Sequence, residues 1–335
     1  MKVFAFFVFL LVCSGSALHA AIPYEICSTP AQLESQATRV VVLDINSTEI
    51  ALALGLAPAI VGVAGVESPQ LIMDEYQAVA KNLNHISPFY PSLTQLKKVW
   101  PDLVIGGWKN GFSRDTPMEP EALLAQGINS YILRETCGHE GKQTSQPSSF
   151  AETLFQDLAD IGRLTGATQR AETLLQQMKR RLALVQDTVK AYGRHEPVRV
   201  FVYDGGLDQA LSIGGQALFS EVIRLAGGRN IWEERPGTWQ NVDWADVEAA
   251  DPELIVIVDY GSGDASYKIL DLESAAELQH LEAIQKRRYF IVPYAAAITG
   301  IRSVGITELL ADHLICTFNP LSQGALQCLD VPFAY

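Results

Sequence analysis

Short unbroken apolar runs alternate along the chain with polar stretches of helical period. Val40–Leu43, Ile60–Val63, Leu103–Ile105 and Ser130–Leu133 are brief and largely apolar, as parallel strands covered on both faces must be. Helices are predicted between them. Glu49–Leu54 has Ser47 and Thr48 as possible caps and Gly55 as its stop; Leu93–Val99 is short; Glu119–Gln126 stops at Gly127. Residues 22–38 read as a loosely structured lead-in. From Phe150 the period changes. Phe150–Leu164 is amphipathic, Gly166 breaks it, and Gln169–Tyr192 carries Ala171, Leu174, Leu175, Met178, Leu182, Val185 and Val189 on one helical face. Strands then return at Arg199–Tyr203, Leu254–Val258 and Tyr289–Val292. The helices among them are Leu218–Ala226, Val242–Ala249, Ala275–Ala283 and Ser303–Thr317.

The pattern repeats. Trp100-Pro101-Asp102-Leu103-Val104-Ile105 comes back as Asp251-Pro252-Glu253-Leu254-Ile255-Val256-Ile257. Each copy follows a short helix-like stretch, and each has an earlier apolar run ending in Asp, at Asp44 and at Asp204. The chain is therefore expected to be α/β, with two lobes, each a mostly parallel sheet with flanking helices, joined by one long rigid α-helix. Residues 38–166 would form the first lobe, 167–193 the linker helix, 197–318 the second lobe and 319–335 a tail. A cleft between two such lobes is a natural ligand site.

The ends and the charge narrow the setting. Lys2, the apolar run Val3–Val12 and the small residues up to Ala20-Ala21 read as a secretory signal over residues 1–20, too short to span a bilayer. Val12 is too bulky for the residue before a lipidated Cys13. Export to the periplasm as an unanchored protein is expected. The net charge of −13 over 335 residues argues against nucleic acid and anionic membranes as partners. Cys27, Cys137, Cys316 and Cys328 remain after cleavage. An oxidising compartment permits disulfides, and four cysteines allow three full pairings. The turn-rich stretch between Cys316 and Cys328 favours that pair.

Chemistry is expected beyond the carboxyl ends of the strands, where open parallel sheets bind ligands. Asp44, Asn46 and Ser47 follow the first strand. Gly106, Gly107, Trp108 and Lys109 come after the next motif, then Arg134, Glu135, Cys137, His139 and Glu140. In the second half the corresponding groups are Tyr203, Asp204, Asp259, Tyr260, Tyr294 and Arg302, with Trp239 in a nearby loop. The ligand set inferred is Trp108, Lys109, Cys137, His139, Tyr203, Trp239, Tyr260 and Arg302. The two indoles would stack on a flat ligand, and Lys109 and Arg302 would neutralise its anionic groups. Cys137, His139 and Glu140 are all of metal-ligating type, which leaves open a protein of another class, an exported transition-metal site. No GxSxG, Walker A or HExxH motif occurs, so no enzymatic reading is supported.

These features resemble a family, the substrate-binding proteins of ABC importers for ferric siderophores, haem and vitamin B12. The resemblance is carried by Arg39–Leu43 with Leu54-Gly55 and Val61-Gly62, by Pro101–Ile105, by the long central helix, by Leu225-Ala226-Gly227-Gly228-Arg229-Asn230-Ile231, by Asp251–Val258 and by Arg287–Pro293. It implies two Rossmann-like lobes on a rigid helix and no intrinsic cofactor. It also implies a monomer that delivers its ligand, most simply an Fe(III)–siderophore complex, to an inner-membrane permease. Gly106–Ser113 with Glu135-Thr136-Cys137 is similar to a subgroup whose members are described as binders of iron compounds or of a deazaflavin precursor. Haem and corrinoids stay open as cargo. The family docks on its permease through a glutamate in each lobe. Here those positions hold Thr94 and Ala245, so Asp246 and Glu248 become the docking candidates.

Overall fold

A computed structural model describes residues 21–319, apart from 110, 115, 141–148 and 262. The signal segment, the tail beyond 319 and Cys328 lie outside the described residues, as do the side chains of Trp108, His139 and Glu140.

Two separate parallel sheets form the core. In the first, strand order is His85–Ser87, Ile60–Ala64, Val40–Leu43, Leu103–Trp108, with Asn129–Ile132 paired to the outer side of the last. In the second it is Gly228–Asn230, Val198–Tyr203, Leu254–Asp259, Tyr289–Pro293. Val40, Val41, Val42 and Leu43 are fully buried, as are Val200, Phe201 and Val202, so helices cover both faces of each sheet as the unbroken apolar runs require. In both sheets the chain starts at a central strand, builds one side and then crosses to the other. The two crossing points lie between Val40–Leu43 and Leu103–Trp108, and between Val198–Tyr203 and Leu254–Asp259. The carboxyl ends at such points are where ligand crevices form.

The repeated motif has one physical job in both lobes. Trp100 and Asp251 end their helices in the left-handed region, at φ 47° and 44°. Arg39 donates from Nε to the Trp100 carbonyl (2.7 Å), and Arg199 does the same to the Asp251 carbonyl (2.7 Å). The acid after each proline accepts from the backbone N–H of that arginine, Asp102 from Arg39 and Glu253 from Arg199, each at 3.1 Å. Each lobe thereby locks the start of its central strand to the start of its neighbour.

The linker helix runs Thr168–Tyr192 and buries Ala171, Met178, Leu182 and Val185. It packs against Phe150–Leu164 and against the last helix, Arg302–Phe318. Arg170 donates to the carbonyl of Ala53 (2.6 Å), and Arg181 meets Glu308 (2.8 Å), so one rod touches both halves.

Two local expectations are corrected. The lead-in is a β-hairpin, Ile22–Ile26 paired antiparallel with Thr29–Leu33. Its turn puts Cys27 and Ser28 at φ 47° and 67°, the geometry usually signalled by Asn-Gly, and Tyr24 ties it to the sheet through a bond to the Ser130 carbonyl (3.0 Å). The first helix starts at Asp44, directly off the strand, and runs to Ala53 with nearly every residue buried. A helix buried all round carries no amphipathic signal.

Candidate functional site

The carboxyl ends of both sheets face one cavity of about 240 Å³. From the first lobe it is lined by Asp44, Asn46, Ser47, Gly107, Leu133, Glu135 and Thr136. From the second come Asp204, Leu211, Ala217, Leu218, Thr238, Trp239, Tyr260, Tyr294 and the segment Ala297-Ile298-Thr299. Asp44 and Gly107 mark the crossing point of one sheet, Asp204 and Tyr260 that of the other.

The two lobes present matching acid–tyrosine pairs. Tyr90 donates to Asp44 (3.1 Å), and Tyr260 donates to Asp204 (3.2 Å). Burial and the neighbouring carboxylate push both phenols well above the ordinary tyrosine range, so both stay protonated donors at any physiological pH. Tyr260 stacks on Tyr294, with ring centroids 4.9 Å apart and planes at 21°. Burial raises the Asp204 carboxyl above its usual range, against the pull of Lys268. The Lys268 ammonium sits behind the wall. It donates to the Val258 carbonyl (2.7 Å), pairs with Asp264 (2.7 Å) and stays 3.9 Å from Asp204.

The lobes also touch. The Thr299 peptide is gripped by the first lobe on both sides: Asn46 Nδ2 donates to its carbonyl (2.5 Å), and its N–H donates to Glu135 (2.8 Å). Gly300 permits this approach, because a Cβ there would stand 3.1 Å from Asn46 Nδ2. Nearby, Arg302 makes a two-pronged bond to Glu49, with Nε at 2.9 Å from Oε2. Glu49 is 1% exposed, and Arg302 also donates to the Leu71 carbonyl (2.6 Å).

Of the residues inferred from the sequence, Trp239 and Tyr260 line the cavity. Tyr203 does not. It is buried among Phe201 and Trp244, with its hydroxyl on the Gly206 carbonyl (3.2 Å). Arg302 is committed to Glu49 and does not line the cavity. Lys109 is exposed and outside the lining. Cys137 is buried in a disulfide with Cys27 (S–S 2.09 Å), which withdraws its sulfur from metal or ligand binding. Cys316 is also disulfide-bonded. The backbone of His139 and Glu140 continues a 3-10 turn, Arg134–Glu140. Among the described residues no group of three or more His, Cys, Asp or Glu is arranged to hold a metal. Arg134 is turned inward onto Asp157 (2.8 Å) and Asp160 (2.5 Å).

Sequence reasoning missed Tyr90, Glu49 and Thr299 as contributors. Tyr90 follows the short strand His85–Ser87, whose three residues are too few and too polar to announce a strand. Thr299 precedes the last helix, and nothing local marks it as the point where the lobes meet. Asp246 and Glu248 are exposed on the helix Trp244–Ala250, paired with Arg235 (2.7 Å) and His280 (3.4 Å). No helix among the described residues is long and apolar enough to cross a membrane.

Known proteins share this layout. A family model for periplasmic binding proteins matches residues 40–296. A vitamin B12-binding protein of Yersinia pestis (strain Pestoides F) is 25% identical over 240 residues, 71% of this chain and 74% of that one. A periplasmic binding protein from Veillonella parvula dsm 2008 superimposes with a TM-score of 0.76 at 23% identity, covering 89% of this chain and 99% of its own. An ABC-type Fe3+-hydroxamate transport system from Saccharomonospora viridis DSM 43017 does so with a TM-score of 0.73 at 18% identity, covering 88% and 99%. Two parallel sheets on a stiff helix, an aromatic cavity at their facing ends and a family match across most of the length agree: this chain belongs to the periplasmic binding proteins, a family of substrate binders and not of enzymes.

Proposed function

We propose that this protein captures a metal chelate that carries no net negative charge, a corrinoid in first place, and hands it to the permease of an ABC importer. The observation that carries the reading is the lining. Trp239, Tyr260 and Tyr294 supply flat apolar surface, and among the described residues the charged lining groups are Asp44, Glu135 and Asp204, all acidic. Aromatic walls hold a macrocycle by area and stacking. The vitamin B12-binding proteins related to this chain support the same cargo. A ferric siderophore, the cargo expected from the sequence, depended on Lys109 and Arg302 as counter-charges. With Arg302 paired to Glu49 and Lys109 outside the wall, an anionic ferric chelate loses its partners, and an uncharged ferric hydroxamate is the form of that cargo the wall tolerates. Trp108, on the strand that ends at the cavity, is proposed as a further stacking surface. Asp246 and Glu248 are proposed as permease-docking acids.

Isothermal titration against a corrinoid, an uncharged ferric trihydroxamate, an anionic ferric catecholate, haem and a flavin-like compound tests the proposal. The corrinoid is expected to bind most tightly. Binding confined to the catecholate or to haem overturns it. Trp239→Ala is expected to weaken corrinoid binding by about 1–3 kcal/mol; unchanged affinity removes Trp239 from the site.

A further inference from the structure

We propose that the cavity wall is a filter for hydrogen-bond donors, centred on Asp204. It selects chelates whose periphery presents amide N–H or ammonium groups and excludes those that present carboxylates. The proposal rests on the carrier reading above and goes further, because it assigns a chemical requirement to named oxygens.

Four buried oxygens in the wall have no hydrogen-bond partner among the described residues: Asp204 Oδ1, Asn46 Oδ1, Ser47 Oγ and Thr299 Oγ1. Their residues are 9%, 4%, 1% and 1% exposed, and all four line the cavity. Buried polar groups are normally paired, so four unpaired oxygens on residues that line one space give its wall a surplus of acceptors. Asp204 Oδ1 and Asn46 Oδ1 can only accept while the carboxyl is ionised, and the two hydroxyls can accept or donate. The neighbours meet the need of Asp204 only in part. Its other oxygen is held by Tyr260, and Lys268 Nζ, which bonds Val258 and Asp264, reaches Asp204 Oδ1 only as a long ion pair at 3.9 Å. The other half of Asn46 is fixed by the Thr299 carbonyl, which aims its oxygen away from that contact. A ligand N–H satisfies such an acceptor. A ligand carboxylate sets two anions together in a poorly solvated place, where like charges disfavour one another most.

The test uses matched pairs on two scaffolds. One pair is a corrin bearing carboxamide side chains and the same corrin hydrolysed to the heptacarboxylate. The other is a linear ferric trihydroxamate ending in an ammonium and its succinylated form ending in a carboxylate. Isothermal titration on the wild-type protein is expected to show the amide or ammonium member binding at least ~100-fold more tightly than its carboxylate partner. In Asp204→Asn the gap is expected to shrink to ~10-fold or less, with the unfolding midpoint showing that the variant is intact. Equal binding of both members of a pair overturns the filter and leaves the carrier reading standing. Binding of no member on either scaffold overturns both. The wild-type comparison decides the matter even where the variant does not fold.

Discussion

His313 illustrates how one buried ring makes stability depend on pH. It sits on the last helix with its ring 5.3 Å from that of Phe290, and burial lowers its pKa to about 4. In the unfolded chain a histidine titrates near 6.5. Between those values the unfolded state binds more protons than the folded one, so stability falls as pH drops through this window and is fully present above it. His313→Gln is expected to remove that slope. The wild-type protein should lose about 2–3 kcal/mol more than the variant between pH 7 and pH 4, read from urea midpoints; parallel curves would show that the ring does not govern the slope. At this scale the sequence was legible where chain geometry alone decides. The rule that ligands lie beyond strand ends picked out Asp44, Asn46, Ser47, Asp204, Tyr260 and Tyr294, all of which line the cavity. It failed at Tyr203 by a single step. Successive side chains on a strand point to opposite faces, so Tyr203 turns into the core and Asp204 into the cleft. Arg302 failed for a different reason: its partner Glu49 is 253 residues away, and no local pattern announces it.

Elements were legible in proportion to their amphipathicity. The linker helix, expected from Gln169 to Tyr192, runs Thr168–Tyr192, because one continuous apolar face fixes both its type and its length. The hairpin at residues 22–33 was not, since Cys27-Ser28 lacks the glycine or asparagine that marks such turns. What holds that turn is the bond from Cys27 to Cys137, 110 residues on. Cys137 belongs to the 3-10 turn that also carries Glu135 and Thr136 to the cavity. The disulfide therefore braces a wall of the site as well as the hairpin. Closing a loop of that length restricts the unfolded chain by about 4–5 kcal/mol in the entropic account. Cys27→Ser is expected to lower the melting temperature by that order of stability. Hydrogen exchange in the variant is expected to rise first in residues 22–33. An unchanged melting temperature and unchanged exchange would show that packing of Tyr24 under Ser130 suffices.

At the scale of the whole molecule, the question is what sets the angle between the lobes. The sheets share no strand, and the linker helix alone would leave them free to rock. The Glu49–Arg302 pair is an ion pair across the gap, buried at both ends with side chains 1% and 10% exposed. Burying two ions is costly, and a well-packed apolar pair often serves stability as well or better. The pair is better explained by orientation: its forked geometry, with Leu71 and Met73 also bonded, allows one arrangement of the lobes. Stability and orientation can be separated by experiment. Glu49→Gln leaves the guanidinium buried beside a neutral amide and is expected to cost about 3–5 kcal/mol. The double variant Glu49→Leu with Arg302→Met is expected to regain most of that stability, since no charge is left unpaired. It is nonetheless expected to bind the carboxamide corrin roughly 5–100-fold more weakly than wild type, because the walls bearing Asp204 and Asn46 no longer meet at a fixed distance. A double variant as stable as wild type and binding as tightly would show that the Thr299 contacts and the linker helix set the cleft without the ion pair.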